Sequence, residues 1–313
     1  MKVDCSESAK EKGSALIAIL WVVGILSIAV FSATQFLFIE LESDANSSAI
    51  FLAEQLADRG VALAAHPNVK KGDPILRQEL NSNEAFYARI SSEGERLNLN
   101  ELLENPEEDR IVLEELFYQW GLQRDIAADV IDNLIDWIDA DNEPTNVGAE
   151  QSYYLSLERL NHPFNRSFDA LDEAMLVKGF PQVAAANPAW KDAFTLLSSG
   201  ELDLNEAPPE LIAAACQCDL EAARLFVVTR SGFDGIQGTL DDQPFEDIDT
   251  ALQILGIPEG FIEDVADRVS LEDPAQRIIS VGRYGGIAVE RTVSVQYTGE
   301  IGEILQWTTR RIE

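Results

Sequence analysis

Residues Ser14 to Ile39 read SALIAILWVVGILSIAVFSATQFLFI, without one Asp, Glu, Lys or Arg. An α-helix needs about 20 predominantly apolar residues to cross a bilayer core, and this run exceeds that. A secretory signal peptide is too short an alternative, since its apolar region spans about 7–15 residues and closes on a small-residue cleavage site. A buried core helix fits no better, because a soluble helix keeps a charged face. Ser27, Ser32, Thr34 and Gln35 are the polar interruptions. Each is tolerable in lipid where it bonds its own helix backbone or a neighbouring helix. The run predicts a transmembrane helix.

Its flanks extend that reading. Met1 to Gly13 form a short polar leader ending Lys10-Glu11-Lys12-Gly13. Beyond Ile39 the helical period continues but becomes amphipathic. Leu41, Ala45, Ala49, Leu52, Leu56 and Leu63 recur at helical spacing, with Glu42, Asp44, Glu54, Asp58 and Arg59 between them. Neither Gly nor Pro interrupts between Ile25 and Arg59, so one continuous helix is expected, half in lipid and half in water. The stripe Leu41, Ala45, Ala49, Leu52, Leu56 suits packing against partner helices, and equally against the protein's own sheet. Ala49 and Ala53 permit close approach, while Phe51 and Leu52 supply bulk.

Composition narrows the classes. The chain has 313 residues, room for one large or two modest domains, and 46% of them are hydrophobic, enough for a core beyond the membrane run. A net charge of −32 excludes general affinity for nucleic acid phosphates and for anionic lipid headgroups. It suits a soluble region that stands off the membrane, or one that binds divalent cations. Of three cysteines, Cys5 lies in the leader; Cys216 and Cys218 are too close for an easy disulfide and lack the further ligands of a zinc site. They read as small apolar fillers. Lys2, Lys10 and Lys12 are offset by Asp4, Glu7 and Glu11, so charge alone assigns little orientation.

Further along, His66-Pro67 and Gly72-Asp73-Pro74 mark a loop. Residues 86–90 read as a strand, Glu93-Gly94 as a turn and residues 96–100 as a second short strand, a hairpin beside the helix. The period then changes: Ile126, Val130, Leu134, Trp137 and Ile138 trace one apolar stripe, with Asp125 placed to cap its start. Helix and loop signals continue to about Leu271. Two internal echoes lie in this region. Leu97-Asn98-Leu99-Asn100-Glu101 returns as Leu202-Asp203-Leu204-Asn205-Glu206, and the helix–Gly–apolar–Pro pattern at Gly179-Phe180-Pro181 returns at Gly256-Ile257-Pro258. The echoes resemble helix-hairpin-helix units; without basic residues around the glycines, packing rather than DNA binding is expected. Strand signals return at 277–281, 289–297 and 304–310.

The expected fold is α+β: a long N-terminal helix, its first half transmembrane, packed on a small antiparallel sheet that a large all-α insertion interrupts. The expected divisions are a leader (1–13), a membrane half-helix (14–39), an amphipathic half-helix with the first hairpin (40–99), a helical insertion (100–271) and closing strands (272–313).

Catalytic patterns are missing from the sequence: His66 and His162 each precede proline, and no nucleophile elbow, phosphate loop or dinucleotide loop occurs. The chain is read as a non-enzyme. Asp136, Asp139, Asp141 and Glu143, then Thr145, Gly148 and Glu150, set hard oxygen ligands on a loop containing Gly and Pro, as calcium requires. The spacing is not that of an EF-hand, and an acidic solvated loop is the competing reading. Asp234, Asp241 and Asp242 read as a loop rather than a second site.

A short leader ending in Lys-Gly before a small residue, and an apolar helix that runs on into an amphipathic half, resemble the type IV pilin and pseudopilin families. The resemblance implies removal of residues 1–13 by a prepilin peptidase, between Gly13 and Ser14, and methylation of Ser14. The fifth mature residue in most of these proteins is Glu; here it is Ala18. In the family that carboxylate pairs with the terminal amine of the subunit ahead, so a subunit without it suits a filament tip. Its absence is typical of the K-type minor pseudopilin of the type II secretion system. EGERLNLN (93–100), DWIDAD (136–141), Gly148-Ala149-Glu150 with Tyr153-Tyr154, and LNEAP (204–208) resemble that type.

The resemblance implies calcium (Ca2+) in the helical domain, with Asp136, Asp139, Asp141, Glu143 and Glu150 as candidate ligands. It implies a single pass through the inner membrane of a Gram-negative bacterium, with the C-terminal domain in the periplasm. It implies the I-, J- and H-type minor pseudopilins as partners and, through them, the major pseudopilin. The implied role is to initiate and cap the filament that exports folded proteins. Two other readings are a membrane-anchored binding module of helix-hairpin-helix kind, and a minor pilin of a type IV pilus.

Overall fold

The computed structural model describes residues 7–298 and 301–312, with side chains from Leu16 onward except those of Leu41 and Ile301. Cys5 and the start of the leader therefore lie outside the described residues.

Helix α1 runs unbroken over Glu7–Ala64, with no Pro in it and no Gly between Ile25 and Arg59. Its apolar half is exposed along its length, with Trp21, Phe31 and Phe36 offering most of their surface. Among the described residues it is the one helix long and apolar enough to cross a membrane. The polar residues within it turn inward on the helix backbone: the Ser27 hydroxyl donates to Val23 O (2.8 Å) and the Thr34 hydroxyl to Phe31 O (2.8 Å). A hydroxyl bonded in this way is tolerable in lipid.

Past Ile50 one face of α1 becomes buried on a five-stranded sheet. Its strands are β1 (Arg77–Asn81), β2 (Glu84–Ser92) and three long ones from the far end of the chain. The sheet is antiparallel throughout. The hairpin beside the helix is thus β1–β2, not the one expected. Arg77-Gln-Glu-Leu-Asn shows no apolar alternation because β1 is an exposed edge strand, held by pairing with β2 rather than by burial. Glu93–Glu95 is a 3-10 turn, and β3 (Leu97–Asn98) leaves the sheet altogether.

From there the chain builds a helical block with its own core. It comprises α2 (Leu99–Glu104), α3 (Pro106–Gln119), α4 (Arg124–Ile138), α5 (Gln151–Ser156) and α6 (Phe180–Ala186), then β4 (Phe194–Thr195) and β5 (Leu202–Asp203). After these come α7 (Pro209–Cys216), α8 (Leu220–Arg230), α9 (Ile248–Ile254), α10 (Ile262–Ala266) and β6 (Val269–Ser270). Leu113, Leu116, Phe117, Ile131, Leu134, Phe180 and Phe226 are among its fully buried side chains. Asp125 does not cap α4; the helix begins a residue earlier, after Gln123, and Asp125 sits in its first turn.

The first sequence echo is a structural one. Leu97 pairs in parallel with Phe194 through β3–β4, and Leu202 with Val269 through β5–β6. Asn98 and Asp203 then cap the turn that follows each bridge, accepting from the backbone N–H of Asn100 and Asn205. Asn100 exchanges two hydrogen bonds with the backbone of Phe168, donating to its carbonyl (3.1 Å) and accepting from its N–H (2.8 Å). Asn205 accepts from Phe245 N–H (2.8 Å) and donates to Phe245 O and Leu271 O (2.9 and 3.0 Å). One latch thus serves both halves of the block. In the second echo Gly179 and Gly256 both take positive φ, the conformation that reserves such positions for glycine, although the element before Gly179 is a 3-10 helix, Leu171–Leu176.

The chain returns to the sheet as β7 (Ala275–Tyr284), β8 (Ile287–Thr298) and β9 (Ile301–Ile312), giving the strand order β1-β2-β7-β8-β9. Helix α1 crosses β7 closely because Gly282 faces the backbone of Ala53 and Ala57, where a Cβ would overlap both, and Gly60 faces Ser280. Val61, Ala64, Ala88, Ile90, Ile278 and Val293 form the core between them. Since Gly282 lies under Ala53 and Ser280 under Gly60, the start of β7 and the end of β2 point past Ala64. The helical block therefore joins the sheet at the end away from the apolar half of α1. Glu93 seals that joint: fully buried, it accepts from the Thr195 hydroxyl of the block (2.8 Å) and the Ser294 hydroxyl of the sheet, and pairs with Arg96.

Candidate functional site

Helix α4 is apolar on the face holding Val130, Ile131, Leu134 and Trp137, yet it also buries two carboxylates, Asp132 and Asp136. Burying a charge is tolerable only with compensation. Asp132 has it in Arg110, whose guanidinium reaches it at 2.5 Å. Asp136 has no such cation among the described residues. Its Oδ1 accepts from Thr145 N–H (2.9 Å), while its Oδ2 is buried without a donor.

Two more carboxylates meet it there. Asp139, at the end of α4, and Glu150, at the start of α5, bring oxygens within 4.8 Å of one another and of Asp136. Asp139 Oδ1 and both Glu150 oxygens are also buried without hydrogen-bond donors. Although Glu150 stands at a helix N-terminus, its side chain leaves the α5 amides uncapped. Gly148 lets the loop approach, since a Cβ there would run into the Asp136 carboxylate.

The electrostatics follow from the geometry. Burial, then repulsion from Asp136 and Asp139, pushes the Glu150 carboxyl up to about 7. Burial raises Asp136 and Asp139 as well. A set of hard oxygen donors with free lone pairs and no counter-charge fits calcium or magnesium, not zinc. The residues present fit such an ion.

A rigid wall stands behind the carboxylates. Trp137 is packed by Tyr154, His162 and Phe164 at ring distances of 5.5, 5.5 and 5.1 Å. Its carbonyl accepts from Asn165 N–H (3.1 Å), and the Asn165 amide donates to Asp141 O (2.7 Å), tying both ends of the acidic turn to one residue. Asn165 was not legible as part of the site; its positive φ, which Asn tolerates, left no mark in the sequence pattern.

Not every expected ligand joins the group. Asp141 and Glu143 stay exposed, and the Asp141 carboxylate accepts from Glu143 N–H (2.8 Å) instead. In the loop after α8, Asp241 Oδ2 accepts from the N–H groups of Phe233 and Asp234 and Asp242 Oδ2 from that of Gly238, while Asp242 Oδ1 is buried without a donor. On α1, Leu56 is buried against the sheet, Ala49 is half-buried, and Ala45 and Leu52 are exposed; the side chain of Leu41 is outside the described set. Gly13 and Ser14 lie within the backbone of α1. Cys216 is buried and Cys218 half-buried, both as free thiols.

The chain is similar to known proteins. The family model described as "Type II secretion system (T2SS), protein K" matches residues 95–188, which span α2 to α6 and all three clustered carboxylates. The type II secretion system protein K of Pseudomonas aeruginosa is 27% identical over 231 residues, covering 69% of this chain and 67% of that one. The fold is shared with a chain in the crystal structure of the GspK-GspI-GspJ complex of the enterotoxigenic Escherichia coli type 2 secretion system. The TM-score is 0.64 at 14% identity, over 87% of this chain and 99% of that one.

A helix continuing onto an antiparallel sheet, with a helical block spliced between two of its strands, is the fold this chain has in common with the E. coli chain. By sequence the chain is similar to type II secretion system protein K, through the family model over residues 95–188 and through the Pseudomonas aeruginosa relative.

Proposed function

We propose that this chain stands at the tip of the periplasmic pseudopilus, where it starts assembly and closes the filament. The observation that carries this reading is the position of the helical block, joined to the sheet beyond Ala64 and so beyond the end of α1. A subunit stacked above would meet that block instead of a free helix end. Ala18 agrees with it, since no carboxylate is offered to the amine of a subunit ahead. The I- and J-type minor pseudopilins are the proposed neighbours, because the E. coli chain with this fold was crystallised with both, and the H type links them to the major pseudopilin. Inner-membrane anchoring through residues 14–39 and a periplasmic C-terminal region follow from the same reading, as do cleavage between Gly13 and Ser14 and methylation of Ser14.

Calcium is the ion proposed for Asp136, Asp139 and Glu150. Bound there, it would supply the positive charge that the three carboxylates lack and hold α4, the acidic loop and α5 together.

The test replaces Ala18 by Glu in cells that depend on this subunit for secretion. Secretion and filament initiation should fall while the protein accumulates normally, and peptide mass spectrometry of the same cells should show Ser14 as the N-terminus. Unimpaired initiation, or a retained leader in cells that possess the peptidase, would overturn the assignment.

A further inference from the structure

The loop at residues 231–245 occupies in the second half of the block the place that the acidic loop occupies in the first. It leaves the end of α8 as the other leaves α4, and it ends on Phe245, latched to Asn205 as Phe168 is latched to Asn100. Its aspartates, however, grip the chain itself. Asp241 accepts from the N–H groups of Phe233 (2.8 Å) and Asp234 (3.1 Å) and from the Thr239 hydroxyl (2.7 Å). Asp242 accepts from Gly238 N–H (2.7 Å), and Asp234 from Ile236 N–H (2.7 Å).

A loop closed by its own carboxylates has turned its apolar side chains outward. Phe233 is 94% exposed and Leu240 76%, with Ile236 beside them and Leu225 and Val228 exposed one turn apart on α8. So much exposed apolar surface on one loop and on the helix that leads into it marks an interaction site.

The surroundings select what covers it. Asp234, Glu246, Asp247 and Asp249 are exposed on this loop and on the segment that follows it. Of the nearby cations, Arg224 is paired with Glu221 (2.5 Å), Lys71 with Glu206 (2.5 Å), and Arg230 is buried, bonded to the carbonyls of Leu204 and Ala207; Lys70, exposed beside Leu240, is outnumbered by these carboxylates. We propose that this surface docks a polypeptide segment that presents apolar side chains flanked by lysine or arginine. A second copy of the chain would set like carboxylates against these, and an anionic membrane would do the same, so both are disfavoured occupants. The proposal is independent of the tip assignment.

The test uses the full chain in phosphatidylcholine nanodiscs and a dye-labelled amphipathic Leu/Lys helical peptide, followed by fluorescence anisotropy. A Leu/Glu peptide with the same apolar face is the control. The Leu/Lys peptide should bind saturably, weaken as NaCl is raised, and lose at least about tenfold in affinity to the Phe233→Ser/Leu240→Ser variant. That variant should melt as the wild type does, since both side chains are exposed. Glu246→Gln/Asp249→Asn should flatten the salt dependence. Unchanged affinity in the double serine variant, equal affinity for the two peptides, or no binding of the Leu/Lys peptide would overturn the proposal.

Discussion

Replacing Glu150 by Gln should remove the largest part of a pH dependence of stability that the three clustered carboxylates impose on the metal-free protein, leaving the smaller share of Asp136 and Asp139. In the folded chain the Glu150 carboxyl titrates at about 7, against an ordinary value of 4.5. It keeps its proton when folded at pH values where the unfolded chain has released it. Stability is therefore full below the ordinary value and is lost as pH rises through about 7. At about 1.4 kcal/mol per pH unit the loss approaches about 3 kcal/mol, or roughly 6–12 °C in melting temperature for a region of this size. Asp203, raised to about 6 by burial, acts in the same sense, so the comparison with Glu150→Gln isolates the Glu150 share. Calcium inverts the trend: bound to ionised carboxylates, it competes with protons, and its stabilisation should grow with pH. Calorimetric melting of wild type and Glu150→Gln, metal-stripped and with calcium in excess, at about pH 5.5 and about pH 7.5, reads all of this. A metal-free wild type that melts identically at both values, or a Glu150→Gln protein that keeps the full slope and the calcium response, would refute the reasoning.

Gly282→Ala should cost about 1–3 kcal/mol of stability, because the added methyl overlaps backbone atoms of Ala53 and Ala57 that cannot rotate away; thermal melting reads it directly. Asn205→Ala should cost about 1–3 kcal/mol for each backbone group of Phe245 and Leu271 left unpaired, and should speed hydrogen exchange at the Phe245 amide. Asn100→Ala should do the same at Phe168 without affecting Phe245.

How far the sequence disclosed this structure depended on whether each signal was local. Helix α1 was legible from Ser14 onward because charge exclusion and helical spacing act residue by residue, whereas its first turns, Glu7 to Gly13, read only as a polar leader. The three closing strands were legible from β-branched alternation, though each extends a few residues beyond its pattern. Strand β1 was not, because an edge strand of polar residues owes its form to a neighbour. The segment after Glu93 was assigned to the wrong partner for a related reason: Leu97 and Asn98 pair in parallel with Phe194 and Thr195, far along the chain, and nothing nearby announces it. At the acidic loop the fold brings Asp136, Asp139 and Glu150 together, whereas Asp141 and Glu143 have the same chemistry but face solvent. Spacing shows which residues are acidic, not which way a turn points them. The repeated Leu-x-Leu-Asn-Glu was visible as an echo, while its role as a latch needed the distant phenylalanine backbones to be seen.

The contact between α1 and the sheet has a mechanical consequence. Arg291 of β8 grips Asp58 at 2.9 Å and Glu54 at 3.4 Å, one helical turn apart, while Gly282 and Gly60 let the helix sink until the two backbones touch. A thrust delivered along the rod loads these contacts in shear, where many must yield together, instead of peeling them one at a time. Under such a load helix and sheet would move as one body.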